Sequence, residues 1–177
     1  FYSVKVDGHW TEAKAFDNIN SSFNEGSACL SSDGKTLIFS RCNAPESLGN
    51  CDLYISKKKR DDTWGEPKNL GKSINSTSWD SHPSLTPSGD TLFFSSNRVG
   101  GFGLSDIYYA LKDRKGNWSR VLNAGPVINT RKNEVSPFFH HAQSVLYFSS
   151  DGHPLNFGDF DIYKTARTNF GFEEPKN

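Results

Sequence analysis

Short apolar runs separated by polar turns recur along the chain. The runs Leu37-Ile38-Phe39, Leu92-Phe93-Phe94 and Leu146-Tyr147-Phe148 are continuous. A strand that lies between two neighbouring sheets is apolar on both faces, so uninterrupted runs predict inner strands of a layered all-β fold. No segment of ten or more residues shows the 3.6-residue period of an amphipathic helix, so we expect essentially no helix.

The pattern repeats with a period of about 54 residues. Trp10, Trp64 and Trp118 follow one another at steps of 54, and the next step falls on Phe172. In each period a short strand leads through a tight polar turn, such as Asp33-Gly34, into the apolar run. A period of this length, built from short strands, indicates a propeller or a solenoid of stacked sheets.

Two further strands complete each period. The third begins at an aspartate, and the fourth opens at the repeated aromatic position and ends before an asparagine. Four antiparallel strands per unit predict the blade of a β-propeller. The expected units are a half blade over residues 1–20, blades over 21–75 and 76–129, and a nearly complete blade over 130–177. About three and a half blades are therefore expected in this all-β β-propeller of four-stranded antiparallel blades.

The half blade shapes the expectation for the whole protein. Residues 1–20 supply only a third and a fourth strand, and an exposed sheet edge is an aggregation liability. The chain also begins at Phe1 and contains no Met. We therefore expect a processed or excised piece of a larger propeller, of six blades. The alternative is that 177 residues are the natural chain, stabilised by dimerisation.

The repeated unit resembles the TolB-like, WD-repeat-like propeller family. The resemblance lies in Ser136-Pro137, Asp33-Gly34, Leu92-Phe93-Phe94-Ser95 and Asp106-Ile107-Tyr108, and it covers nearly the whole chain. The segments 96–103 and 51–54 are similar to those of a subgroup in cell-envelope proteins of Bacteroidetes-type bacteria. In that subgroup such propellers are often fused to helical repeats and an OmpA-like peptidoglycan-binding domain, and some belong to type IX secretion and gliding-motility machinery. The resemblance implies a protein partner in the envelope and contact with peptidoglycan through a fused domain.

Charge and hydropathy exclude several classes of partner. Lys and Arg number 20 and Asp and Glu number 20, so the formal net charge is zero. This balance gives no electrostatic basis for binding nucleic acid or an anionic membrane. No run of about 18 apolar residues occurs, so we expect no membrane insertion.

The three cysteines suggest a cellular compartment. Cys42 and Cys51 bracket a loop of turn-forming residues, at the end of one expected strand and the start of the next. Antiparallel neighbours can bring such residues to disulfide distance, so we expect a Cys42–Cys51 disulfide. Two free thiols or a metal pair are the alternatives. A disulfide implies an oxidising compartment, either the periplasm or the outer-membrane surface. Cys29 lies in an apolar strand and is expected to be buried.

Acidic residues recur at two positions of the repeat, as Glu25, Asp80 and Glu134 and as Asp52, Asp106 and Asp161. Paired carboxylates can hydrolyse glycosides, and this is one interpretation. An acid in every blade is better explained as a structural device that accepts hydrogen bonds from backbone N–H groups. Nothing matches a Ser-His-Asp elbow, a phosphate loop or a zinc motif. We therefore expect no catalytic residue, cofactor or metal.

Function on this scaffold is expected in the loops. Those between second and third strands and between blades carry aromatic and arginine residues, which are favoured anchors of protein interfaces. These candidates are Trp79, Arg98, Phe102, Arg131, Phe157 and Phe160. Alternatively, Phe102 and Phe157 fold back to cap the blades. The leading interpretation is a non-catalytic protein-binding module of an envelope scaffold. The propeller of a hydrolase and a direct glycan- or peptidoglycan-binding module are the other two.

Overall fold

Antiparallel strands form all the regular structure in the computed structural model, which describes residues 1–168 and 171–177. The strands are β1 (Lys5–Val6), β2 (His9–Trp10), β3 (Asn24–Leu30), β4 (Thr36–Cys42), β5 (Cys51–Lys57), β6 (Lys68–Asn69), β7 (Asp80–Leu85), β8 (Thr91–Ser96), β9 (Asp106–Leu111), β10 (Leu122–Asn123), β11 (Glu134–His140), β12 (Val145–Ser150), β13 (Asp161–Thr168) and β14 (Gly171–Phe172). Over the described ranges no helix occurs, so the all-β expectation is confirmed.

Three four-stranded sheets follow one another along the chain. Strands β3–β6, β7–β10 and β11–β14 each form one antiparallel sheet in sequence order, hereafter blades 1, 2 and 3. Strands β1 and β2 form a two-stranded unit, extended by the pairing of Tyr2 with Lys14. The predicted four-stranded antiparallel blades are therefore confirmed. The fourth strands are only two residues long, and short edge strands limit unwanted pairing between sheets.

The expected turn at Asp33-Gly34 is present, with Gly34 at a φ of 68°. The first strand of each blade, however, carries a β-bulge that the sequence pattern did not predict. At the bulges Ser27, His82 and Ser136 adopt left-handed φ angles of 42°, 53° and 54°. The bulge lies at the same repeat position in all three blades, so it is a feature of the blade and not a local accident.

Stacking of the blades creates the core. One cluster joins Ile38 and Leu53 of blade 1 to Leu92 and Phe94 of blade 2. The apolar runs of β4 and β8 are buried on both faces of their sheets, as their sequences predicted. The prediction fails for β12, in which Tyr147 is only half-buried, because a described sheet covers just one face of that strand.

Buried asparagines join blades 1 and 2 to the segments that follow them. The Asn129 side-chain oxygen accepts a hydrogen bond from the Ile107 N–H at 2.8 Å, and its amide group donates to the Ile107 carbonyl at 2.9 Å. Asn75 makes the same pair of bonds to Leu53. The carbonyls of Leu53 and Ile107 also accept from the backbone N–H groups of Leu70 and Ala124, so the asparagine oxygen is the partner that the N–H groups of Leu53 and Ile107 need beyond the end of the short fourth strand.

Candidate functional site

Three loops between the second and third strands share a common frame. We call residues 43–50, 97–105 and 151–160 rim loops 1, 2 and 3. In rim loop 1 the Asp52 carboxylate accepts hydrogen bonds from the N–H groups of Leu48 and Gly49 at 2.8 and 3.0 Å. The acid at the start of the third strand therefore sets the shape of the loop that precedes it.

The same device recurs in the other two blades. Asp106 accepts from the N–H groups of Phe102 and Gly103 at 2.6 and 3.0 Å, and from the Asn123 amide at 2.7 Å. Asp161 accepts from the N–H of Phe157. Leu48, Phe102 and Phe157 are thus repeat equivalents that carry an apolar side chain on an anchored backbone.

Backbone hydrogen bonds tie the rim loops to the next blade. The Asn50 N–H donates to the Ser78 carbonyl at 3.1 Å in rim loop 1. The Leu104 N–H donates to the Lys132 carbonyl at 2.8 Å in rim loop 2. A Cβ atom at Gly103 would overlap that same carbonyl oxygen, so the backbones pack without space for a side chain. Rim loops 1 and 2 are therefore rigid supports.

A disulfide joins Cys42 to Cys51 across the base of rim loop 1, and this prediction is confirmed. The two cysteines are directly paired in the β4–β5 register. Cys29 is a free, half-buried cysteine, and burial raises the pKa of its thiol to about 12. The thiolate, which is the reactive form, is therefore scarce at neutral pH.

The second set of repeated acids holds the start of each blade. Glu25 accepts a hydrogen bond from Arg41 at 2.8 Å, and Asp80 accepts one from Arg98 at 2.6 Å. Glu134 accepts from the backbone N–H of Thr130 and from its hydroxyl, both at 2.7 Å. Each of these carboxylates thus makes hydrogen bonds within its own blade.

The predicted binding residues divide into inward-facing and outward-facing groups. Trp79 is half-buried, and its ring lies edge-on to the His82 ring with 5.2 Å between the ring centres. The Trp79 backbone N–H donates to the Asn97 side-chain oxygen at 2.8 Å. Arg98 is half-buried and held by Asp80. Both make contacts that stabilise the blade.

Four of the predicted residues face solvent. Phe102 is 50% exposed and Phe157 is 85% exposed, so neither folds back to be buried under its blade. Phe160 and Arg131 are also exposed. Arg131 lies in the connector 130–133. Rim loop 2 contacts this connector through the Leu104 N–H, and rim loop 3 contacts it through the hydrogen bond from the Lys132 ammonium to the Asp151 carbonyl.

Sequence reasoning missed three apolar residues of the same loops. Val99 and Leu104 in rim loop 2 and Leu155 in rim loop 3 are exposed. Their aliphatic side chains lack the aromatic or guanidinium character from which the sequence predicted interface anchors. A large aliphatic residue inside a glycine-rich loop was the available signal. Together with Phe102, Phe157 and Phe160 they are the exposed apolar side chains of two adjacent rim loops, and we call this set of residues the rim surface.

The first strands of the three blades line one cavity of about 370 Å³. Its wall contains His82, Ser136, Phe138 and His141, and among the described residues that line it there is no carboxylate. Burial lowers the pKa of His82, and its Nδ1 atom is buried without a hydrogen-bond partner in the described part of the chain. Within residues 1–168 and 171–177 no group of three potential metal ligands occurs.

The stacked four-stranded antiparallel blades define the class of fold as a β-propeller. The structure is similar to TolB from Acinetobacter baumannii, with a TM-score of 0.56 and 16% identity over 88% of this chain. It is also similar to the α-L-arabinofuranosidase from Lactobacillus brevis, with a TM-score of 0.59 and 14% identity over 92% of this chain. At these identities the likeness concerns the fold.

The chain spans 33% of the TolB chain and 58% of the arabinofuranosidase chain. No family model matches the sequence, and no curated protein matches it. Over the residues that the structure describes, no helix is long and apolar enough to span a membrane.

Proposed function

We propose that this chain is a non-catalytic, protein-binding propeller module of a bacterial cell-envelope scaffold, acting in the periplasm or at the outer membrane. The observation that carries the proposal is the rim surface. Large apolar side chains such as Phe157 and Val99 are exposed there on loops whose backbone is held by Asp106 and Asp161. Rigid loops lose little entropy on binding, and aromatic residues are the commonest anchors of protein interfaces.

The disulfide supports the compartment. A Cys42–Cys51 bond persists in an oxidising environment and is rare in the cytosol. The resemblance of the repeated unit to envelope propellers points the same way. It suggests a type IX secretion complex or an OmpA-like peptidoglycan-associated protein as the setting.

A hydrolase propeller is the second candidate, favoured by the fold likeness to the arabinofuranosidase. Glycoside hydrolysis requires two carboxylates on either side of the scissile bond. In this chain the repeated acids, for example Asp52 and Glu134, accept hydrogen bonds from their own loops. The protein-binding function is therefore the better supported of the two.

A photo-crosslinking experiment tests the proposal. A photoreactive phenylalanine analogue is placed at Phe102, at Phe157 or at the control position Leu122, an exposed apolar residue on the outer strand β10. Each variant is mixed with an envelope extract and irradiated. We expect the two rim positions, and not Leu122, to crosslink to the same protein.

A sedimentation assay with purified peptidoglycan separates protein binding from direct glycan binding. Phe102→Ala is combined with the photoreactive residue at 157, and Phe157→Ala with the photoreactive residue at 102. We expect each alanine to weaken the protein crosslink without changing the fraction of the chain that sediments with peptidoglycan. Equal crosslinking from Leu122 would contradict the proposal. Loss of sedimentation in the Phe157→Ala variant would instead favour a glycan-binding module.

A further inference from the structure

The two-stranded unit β1–β2 lacks the strands that form the inner half of every complete blade. In blades 1, 2 and 3 the third strand pairs with the second strand on one edge and with the fourth on the other. By its place in the repeat β1 is a third strand, and β2 is the fourth strand beside it. Over residues 1–168 and 171–177 no strand pairs with the other edge of β1. The position of a first and a second strand is therefore open.

The open edge of β1 presents backbone hydrogen-bonding groups. The N–H groups of Tyr2 and Val4 donate hydrogen bonds of 2.8 and 3.1 Å to the segment that continues β2. Successive residues of a strand direct their N–H groups to opposite sides, so those of Ser3 and Lys5 point to the open edge. An edge of this kind is a template on which a further strand can pair.

The face of blade 1 beside this edge lacks the cover that the other blades have. In blade 2, Leu85 and Leu92 pair across the first two strands and pack in one cluster with Ile38 of the preceding blade. Leu85 is 5% exposed, and its equivalent in blade 3, Phe139, is 7% exposed. Leu30 holds the same position in blade 1 but is 50% exposed. What is missing over Leu30 is the second strand of a preceding blade.

A cavity of about 650 Å³ occupies the open position. The half blade lines it with Tyr2 and Val4, and blade 1 lines it with Cys29, Leu30 and Leu37. We call the cavity with these lining residues the half-blade groove. It joins the open strand edge to the uncovered apolar face, so one occupant can satisfy both.

The contact between blades 2 and 3 shows what fits such a position. The Phe93 ring of β8 stacks on the Phe139 ring of blade 3, with 6.0 Å between the ring centres and 3° between the planes. The Ser84 hydroxyl of β7 accepts a hydrogen bond from the Phe139 N–H at 3.0 Å. Strands β7 and β8 are the two arms of one hairpin. One hairpin thus supplies both the apolar cover and the hydrogen-bond acceptor for the first strand of the next blade.

We infer that the half-blade groove binds a β-hairpin of the β7–β8 type, carried by a partner protein. The hairpin pairs antiparallel with the open edge of β1 and lays an apolar side chain of its second strand on Leu30. Main-chain hydrogen bonds supply affinity in this mode of recognition, and the side-chain contacts supply specificity. A folded second copy offers no such hairpin, because β3–β4, β7–β8 and β11–β12 are each paired with a third strand. The groove lies apart from the rim loops, so it is an interaction surface additional to the proposed one.

A synthetic hairpin tests the site on the whole chain. The peptide has the sequence of residues 80–96 and carries a fluorophore, and its paired ends are replaced by a disulfide-linked cysteine pair, Asp80→Cys and Ser96→Cys. We expect saturable binding by fluorescence anisotropy and slower amide exchange at Ser3 and Lys5, followed by NMR. An absence of saturable binding would overturn the inference. So would a peptide that binds without slowing exchange at these two amides.

Substitutions on both partners locate the contact. Leu30→Glu places a charge beneath the hairpin and is expected to weaken binding about tenfold or more, the effect of losing one buried leucine. Leu122→Glu, at an exposed leucine on the outer strand β10, is the matched control and is expected to leave binding unchanged. Phe93→Asp in the peptide is expected to weaken binding as much as Leu30→Glu, and it cannot affect the folding of the protein. Equal effects of Leu30→Glu and Leu122→Glu, or full binding by the Phe93→Asp peptide, would contradict the inference.

Sedimentation velocity of the chain alone decides whether a second copy occupies the groove instead. We expect Leu30→Glu to leave the sedimentation coefficient unchanged, because Leu30 is uncovered in the absence of a hairpin. If the chain self-associates and Leu30→Glu prevents this, a second copy is the occupant and the inference is wrong. None of these measurements involves the rim surface, so they do not depend on the proposed function.

Discussion

Replacing Gly103 by alanine tests whether contact between a rim loop and the next blade stabilises the fold. A Cβ atom at this position would overlap the Lys132 carbonyl oxygen and lie 2.6 Å from the Thr130 carbonyl oxygen. These are backbone atoms, which cannot rotate away as a side chain could. The rim loop must therefore move away from the connector 130–133.

The cost follows from the bonds that the movement breaks. The Leu104 N–H donates to the Lys132 carbonyl at 2.8 Å, and the Glu134 N–H donates to the Ser105 carbonyl at 2.7 Å. Each backbone hydrogen bond contributes about 1 kcal/mol net, and overpacking adds about 1 kcal/mol or more. We expect the free energy of unfolding to fall by about 2–3 kcal/mol. For a chain of this size that lowers Tm by roughly 4–12 °C.

Gly158→Ala is the matched control. Gly158 holds the same position in rim loop 3, three residues before the repeated aspartate, yet no atom lies within 4 Å of a Cβ built there. Its φ is outside the left-handed region, so alanine is tolerated and stabilises by about 0.4–1 kcal/mol through the unfolded state. Thermal unfolding followed by circular dichroism compares the two variants. Equal Tm values, or a larger loss for Gly158→Ala, would refute the reasoning.

Three further changes probe other parts of the fold. Burial lowers the pKa of His82, so the unfolded chain binds the proton first and stability falls as the pH drops below about 6.5. His82→Ser introduces the residue found at the other two bulges and should make the free energy of urea unfolding depend less on pH between pH 7 and 5. An unaltered pH dependence would contradict this. Replacing Cys42 and Cys51 together by serine should lower the free energy of unfolding by about 2–3 kcal/mol, measured by thermal unfolding without reductant. An unchanged free energy of unfolding would mean that the disulfide does not stabilise the fold. Asn129→Leu leaves the buried N–H of Ile107 unpaired, whereas the Ile107 carbonyl still accepts from the Ala124 N–H, so the change should cost about 1–3 kcal/mol in urea unfolding. Asn20→Leu at the exposed equivalent should be nearly neutral, and equal effects would argue against the amide pairing.

The blades could be predicted from the sequence because each strand is short and its neighbours are local. The apolar run Leu92-Phe93-Phe94 must be covered on both sides, and only stacked sheets achieve this without a helix. The period of 54 residues then determines how many strands each sheet holds. The disulfide was predictable for the same reason, because Cys42 and Cys51 face each other across one hairpin.

The bulges could not be predicted, because nothing in the types of Ser27, His82 and Ser136 marks a left-handed backbone. Serine and histidine are ordinary strand residues, and the bulge arises from how the first strand must bend against its neighbour. The inward position of Arg98 was equally hidden. A loop arginine is usually exposed, and only the facing rings of Phe94 and Tyr108 show why this one is not.

The division between structural and binding residues follows from the repeat itself. A residue that has the same role in every blade, such as the aspartate that follows and anchors each rim loop, serves the fold. A residue that differs between blades on the same anchored backbone is free to serve binding. Leu48 is half-buried in rim loop 1, whereas Phe157 at the equivalent position is exposed in rim loop 3. The frame is shared but the side chain it presents is not, and this difference is what a binding surface requires.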